Sequence, residues 1–142
     1  MEKKSFWELS KNRNWQSKYL KKKSKLAVLS AGTIGNNVIQ TLLKTKKSED
    51  FAHYDFGFVK PLDESLLHRI FSDFKEIITI EDGTKTGGFG TSILEFSASH
   101  QYKSNLKILG IPDEFIEQGT VDELQYYCKI DVKSLEKLFS SY

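Results

Sequence analysis

Glu81 and Asp82 close an apolar run, Ile77-Ile78-Thr79-Ile80, and are the first side chains whose type and placement suggest chemistry. The C-terminal end of a strand is where α/β folds set their working groups. Two carboxylates serve general acid–base catalysis only when they converge, and neighbouring strand residues point to opposite faces. They do not form an acid–base pair by themselves. The stretch that follows, Lys85-Thr86-Gly87-Gly88-Phe89-Gly90, superficially resembles a phosphate loop. A true P-loop sets its lysine after the glycines, at the start of the helix. Here the lysine comes first, so its ammonium does not reach phosphates held in that way. Backbone amides at the helix start can still hold an anion. The glycines are better read as permitting positive φ and close approach of another segment.

A second glycine turn, Gly32-Thr33-Ile34-Gly35, sits between a strand and a helix, and Asp55 follows where a ribose-binding acid would be expected. A dinucleotide fingerprint needs three glycines in the spacing G-x-G-x-x-G, whereas only two are present here, spaced G-x-x-G. The reading from these residues is a tight turn with close helix–strand packing. A small nucleotide-binding enzyme is the weaker alternative. His53, His68 and His100 are scattered and Cys128 is the only cysteine, so no metal-ligand spacing arises. His68 reads as a surface or boundary residue and Cys128 as a small buried hydrophobe. No Ser/His/Asp or Cys/His set presents itself.

The elements that must position these groups alternate between short apolar runs and helical periodicity, the signature of an α/β layer fold. Leu26–Leu29 is a continuous run suited to a strand buried on both faces. Ile34, Val38, Ile39, Leu42 and Leu43 predict one apolar helix face. A second strand is expected from Ala52 to Val59, stopped by Pro61, with Asp63 as the N-cap of a helix buried through Leu66, Leu67, Ile70, Phe71 and Phe74. Ile77–Ile80 is a third strand, Phe89, Ile93, Leu94 and Ala98 a helix, and Leu106–Leu109 a fourth strand. Thr120-Val121-Asp122-Glu123 is a capping box for a helical tail, and a last helix carries Leu135, Leu138 and Phe139. These elements predict a three-layer α/β/α sandwich with a mostly parallel sheet over residues 26–142.

Residues 1–25 stand apart as a basic arm or linker: nine Lys/Arg against two Glu, a balance of +7, while residues 26–142 carry −5. Phe6, Trp7, Trp15 and Tyr19 are interleaved with the lysines. An interdomain linker is the plainer reading. The alternative is a free-standing regulatory or docking module that binds an acidic partner or nucleic acid through this arm, although no recognised nucleic-acid module follows it. The 142 residues suit one domain with a real core. No apolar run approaches the roughly 18 residues that span a bilayer. No apolar region follows the charged N-terminus, so no secretory signal is expected. A cytoplasmic protein is the expectation.

Three stretches carry a resemblance. Phe58-Val59-Lys60-Pro61-Leu62-Asp63, then Glu81-Asp82-Gly83 through Gly87-Gly88-Phe89-Gly90, then Leu109-Gly110-Ile111-Pro112-Asp113-Glu114-Phe115-Ile116-Glu117-Gln118-Gly119 occur in the order found in 1-deoxy-D-xylulose-5-phosphate synthases. The chain resembles the C-terminal domain of that family, thiamine-diphosphate-dependent transferases of the transketolase superfamily. The last stretch, with Asp122-Glu123-Leu124, resembles the synthases and not transketolase or the dehydrogenases. Two positions depart from the family pattern: Gly57 stands where an arginine is usual, and Gln118 where histidine is common.

The resemblance implies a five-stranded mixed sheet with one antiparallel strand, and a homodimer in the full enzyme. It also implies that thiamine diphosphate and magnesium are bound by domains outside this chain. Pyruvate and glyceraldehyde 3-phosphate would there be condensed, with loss of carbon dioxide, to a precursor of isoprenoids, thiamine and pyridoxal phosphate. No catalytic, cofactor-binding or metal-binding residue carries over. Pro61, Asp63, Glu81, Asp82, Gly87, Gly88, Gly90, Pro112 and Asp113 are expected to be structural or interface elements. Met1 is compatible with a fragment or with a separately encoded piece of a split enzyme.

Overall fold

The structure is a computed structural model that describes residues 25–57 and 59–142. The basic arm, except Lys25, and Phe58 of the second strand's expected continuation lie outside the described residues. Nine elements follow in chain order among the described residues: β1 (Leu26–Ala31), α1 (Gly35–Thr45), β2 (Phe51–Phe56), α2 (Glu64–Asp73), β3 (Glu76–Thr84), α3 (Phe89–Ser99), β4 (Asn105–Ile111), α4 (Val121–Tyr127) and α5 (Val132–Phe139).

The four strands form one sheet in the order β2-β1-β3-β4, and every pairing is parallel. Leu26 of β1 lies opposite Phe51 of β2 and Glu76 of β3, and Glu76 opposite Asn105 of β4. All six residues of β1 are buried because helices cover both faces of this central strand. Ala27, Leu29, Ala31, Phe56 and Ile77 meet α2 and α3 through Leu67, Ile70, Phe71, Ile93 and Phe96. The other parity, Leu26, Val28, Phe51, Ile78 and Ile80, meets α1 and α5 through Val38, Leu42, Leu135 and Phe139. A three-layer α/β/α sandwich results. Burying Leu135 or Phe139 stabilises it by about 2 kcal/mol each.

The expected fifth, antiparallel strand is corrected to four parallel strands among the described residues. Its physical cause lies after β4. Pro112 cannot donate to a ladder, and the residues beyond it carry carboxylates and then helical periodicity. The chain therefore returns as α4 and α5, and α5 closes the layer beside α1 instead of extending the sheet. Two smaller boundaries also differ. β2 ends at Phe56, short of Val59, and β3 runs on past Ile80 to Thr84. At α1 the apolar i, i+4 line of Ile34, Val38 and Leu42 is buried, with Gly35 and Thr41 beside it, whereas Ile39 and Leu43 are 47% and 69% exposed. These two lie one position, about 100°, around the helix from the buried line.

Candidate functional site

Because every strand is parallel, the loops after β1, β2, β3 and β4 all emerge at one edge of the sheet, where ligands bind in open α/β folds. The order of strands reverses between β1 and β3, which makes the crevice between them the expected ligand position. Glu81 and Asp82 stand at that crevice. They do not end β3, as the sequence suggested, but lie in an irregular stretch where the register against β4 shifts between Ile80 and Thr84.

Strand alternation sends the two carboxylates to opposite faces, and each meets a different helix start. Glu81 is buried and accepts hydrogen bonds from the backbone amides of Phe89 (2.9 Å) and Gly90 (3.0 Å), the first two residues of α3. Asp82 reaches across to the β1–α1 turn and accepts from the Thr33 amide and the Thr33 hydroxyl, both at 2.8 Å. A carboxylate at a helix N-terminus satisfies donors the helix itself leaves free and complements its dipole.

The two glycine motifs are shaped around these side chains. A Cβ on Gly88 would strike the Thr84 carbonyl and the Glu81 carboxylate, and one on Gly90 would meet Thr79 Oγ1 and Ile108. Gly32, at φ +89°, lies so close to Asp82 that a Cβ would fall on its carboxyl carbon, 2.7 Å away. Gly87 has φ +72° with open space beside it. The amides that a phosphate would use at α3 are thus occupied by Glu81, and the Thr33 amide by Asp82. Both positions are acidic, which opposes an anion there.

A polar set that the sequence reading did not find lies on the same edge. Ser30 Oγ donates to Asp55 Oδ1 at 3.0 Å and lies 2.8 Å from His53 Nε2. A serine, a histidine and an aspartate thus meet although no sequence spacing marks them. A hydroxyl has one proton, and since Ser30 gives it to Asp55, His53 must donate through Nε2. The histidine cannot then take the serine proton, so the order of the set is wrong for a nucleophilic serine. Ser30 is moreover fully buried. Burial pushes the His53 imidazole below its ordinary value, and the charge of Asp55 opposes that shift. Residues 30, 53 and 55 meet because Val28 pairs with His53 and Ser30 with Asp55. Only the parallel register of β1 and β2 could have revealed them. Asp55, the residue weighed as a ribose ligand, faces Ser30 near the start of α1, where a Cβ on Gly35 would come within 2.8 Å of the serine oxygen.

Other singled-out residues occupy separate loops. Asp63 caps α2 by accepting from the Leu66 amide at 2.9 Å, and Pro61 precedes it in a cis peptide with Lys60. His68 bonds Tyr102 at 2.7 Å and packs edge-on against Phe96 and His100, a boundary position between α2 and α3. Cys128 is half-buried against the α1/α5 core, and burial pushes its thiol up.

Pro112 and Asp113 follow β4 and open a segment with a different character. Phe115 is 94% exposed, and α4 buries none of its residues. Thr120 and Glu123 form the expected capping box, whose hydrogen bonds hold the Glu123 carboxyl below its ordinary range. Tyr127 donates to Glu114 at 2.8 Å, which ties the end of α4 to the loop and pushes the phenol up.

Among the described residues, no group of three or more His, Cys, Asp or Glu side chains converges as a metal site, and no helix is long and apolar enough to cross a membrane.

Comparison with known proteins agrees with this architecture. A 1-deoxy-D-xylulose-5-phosphate synthase of Bacteroides thetaiotaomicron is 46% identical over 120 residues, covering 83% of this chain and 18% of the relative. That of Parabacteroides distasonis is 44% identical over 123 residues, covering 86% of this chain and 20% of the relative. The chain therefore spans about a fifth of the length of these curated relatives. Among solved structures, a split-gene transketolase described as an inactive β4 tetramer superposes with a TM-score of 0.69 at 17% identity, covering 83% of this chain and 38% of that one. The family profile for the transketolase C-terminal domain matches residues 16–135, and the chain belongs to that family.

Proposed function

We propose that this chain is the C-terminal domain of a thiamine-diphosphate-dependent 1-deoxy-D-xylulose-5-phosphate synthase, where it supports folding and dimerisation and carries no catalytic group. The reading rests on relatives of that name at 39–46% identity that extend far beyond the matched region. The parent enzyme condenses pyruvate with glyceraldehyde 3-phosphate in the cytoplasm, using thiamine diphosphate and magnesium held by its other domains.

The described residues do not fit that cofactor. A magnesium–diphosphate needs converging oxygen donors and free amides or cations. Here Glu81 and Asp82 already engage the helix starts, on opposite faces of the sheet. On this reading Glu81, Asp82, Gly88 and Gly90 hold the domain's own layers together. Pro61 and Asp63 set the entry to α2, and Pro112 and Asp113 present the tail.

Two measurements test the proposal. Titration of the 142-residue chain with thiamine diphosphate and magnesium is expected to give no saturable heat and no turnover of pyruvate. A full-length chimera, in which residues 26–142 replace the matching region of the Bacteroides thetaiotaomicron synthase, is expected to form deoxyxylulose phosphate. Cofactor binding or turnover by the isolated chain would contradict the proposal, as would an inert chimera.

A further inference from the structure

Within the tail, large aromatic side chains face outward and are exposed, Tyr127 held only through its hydroxyl by Glu114. Phe115 is 94% exposed, Tyr126 68% and Tyr127 55%. At about 100° per residue, Tyr126 and Tyr127 fall on one side of α4, with Glu123 between them and Asp122 beside Tyr126. Leu124 and Gln125 turn inward, and Gln125 accepts from the Asn37 side chain of α1 at 2.9 Å. The body of the domain therefore holds only the inner side of α4.

The hydrogen bond from Tyr127 to Glu114 brings the loop beside the helix, so Phe115 and the tyrosines belong to one surface. The capping box and this hydrogen bond keep that surface ordered without burying it. Large aromatics displayed on a held surface and rimmed by charge mark a site of protein contact. Within its own segment the rim has one sign, although Lys85 from the β3 loop reaches close enough to act on Cys128. Asp113, Glu114, Glu117, Asp122 and Glu123 supply five carboxylates, and residues 112–128 contain no Lys or Arg.

We infer that this acid-rimmed aromatic surface seats the chain against the cofactor-binding portion of the synthase, on a complementary surface that is apolar at its centre and edged with lysine or arginine. The inference rests on the function proposed above and names the contact through which that function is carried out. Two observations select this occupant. The curated relatives place some four-fifths of their length outside the matched region, so a large neighbouring polypeptide is available to them. A predominantly acidic rim also repels a second copy of the same surface, so self-pairing through it is disfavoured.

The test compares the 142-residue chain with the full-length chimera described above. Phe115→Ser with Tyr126→Ser removes the centre of the surface, and Glu117→Lys reverses part of its rim. In the isolated chain these variants should leave the thermal midpoint unchanged, because the groups touch little. In the chimera the double variant should lower the midpoint by several degrees and cut turnover. Glu117→Lys should do the same more weakly, and less so as salt rises. An active chimera indifferent to all three substitutions would overturn the inference while leaving the proposed function standing. A chimera inert before any substitution would count against both. Concentration-dependent pairing of the isolated chain, abolished by the double variant, would assign the surface to a second copy and overturn the inference.

Discussion

The loop edge of the sheet and the tail beyond β4 treat their side chains in opposite ways. At the edge, Glu81 and Asp82 each accept two hydrogen bonds from the chain itself, and glycines 32 and 88 let backbone and carboxylate approach within a Cβ's space. Along the tail, aromatic rings of Phe115, Tyr126 and Tyr127 face outward although the segment is ordered by a capping box and a tyrosine–glutamate bond. The difference teaches where the domain's work lies. The fold's customary ligand edge is closed by internal contacts, and its exposed aromatic surface lies on the segment that follows the last strand.

Substitutions can break this contrast in graded fashion. The largest effect is expected for Glu81→Ala. It leaves two amides at a buried helix start without an acceptor and should cost about 3 kcal/mol in urea unfolding. A loss below about 1 kcal/mol would mean that Glu81 does not hold α3 to the sheet. Asp82→Ala removes an exposed cap at the Thr33 turn, and about 1 kcal/mol is expected in the same assay.

A pH titration of stability probes the neighbouring Ser30, His53 and Asp55 set. An imidazole held below its ordinary 6.5 by burial resists protonation in the folded chain but not in the unfolded one. Stability is then full above pH 6.5 and declines as pH falls below it, and His53→Gln should flatten that decline. An unchanged acid limb in the variant would show that His53 is not its source. Smallest of all should be Phe115→Ser in the isolated chain, within about 0.5 kcal/mol of the parent. A larger loss would place Phe115 in the domain's own core and remove the contrast.

Much of the loop edge could be read from residue types, because its signals are local. Asp63 is a cap recognisable from its own turn, as Thr120 is in the tail, and Ile77–Ile80 is a strand by its β-branched run. The opposite orientation of Glu81 and Asp82 followed from strand alternation alone. Their partners did not, since Thr33 lies 49 residues away and only the layer packing brings it near. The same holds for Ser30 with His53 and Asp55, separated by 23 and 25 residues and joined by strand register.

The packing role of Gly110 is illegible in the sequence for a related reason. A Cβ there would press on Glu81 and the Gly83 carbonyl across the β3–β4 irregularity, a feature invisible in composition. The exposure of Ile39 and Leu43 shows the limit of periodicity, which marks an apolar side of a helix but not how wide a stripe the sheet can cover.

Hydrogen exchange, followed in the 142-residue chain and in the full-length chimera over the same peptides, tests the contrast most directly. Amides in residues 112–128 should exchange more slowly in the chimera than in the isolated chain, while those in residues 81–90 should exchange alike in both. Protection gained at residues 81–90, with none at 112–128, would contradict the account and make the glycine loop the docking surface.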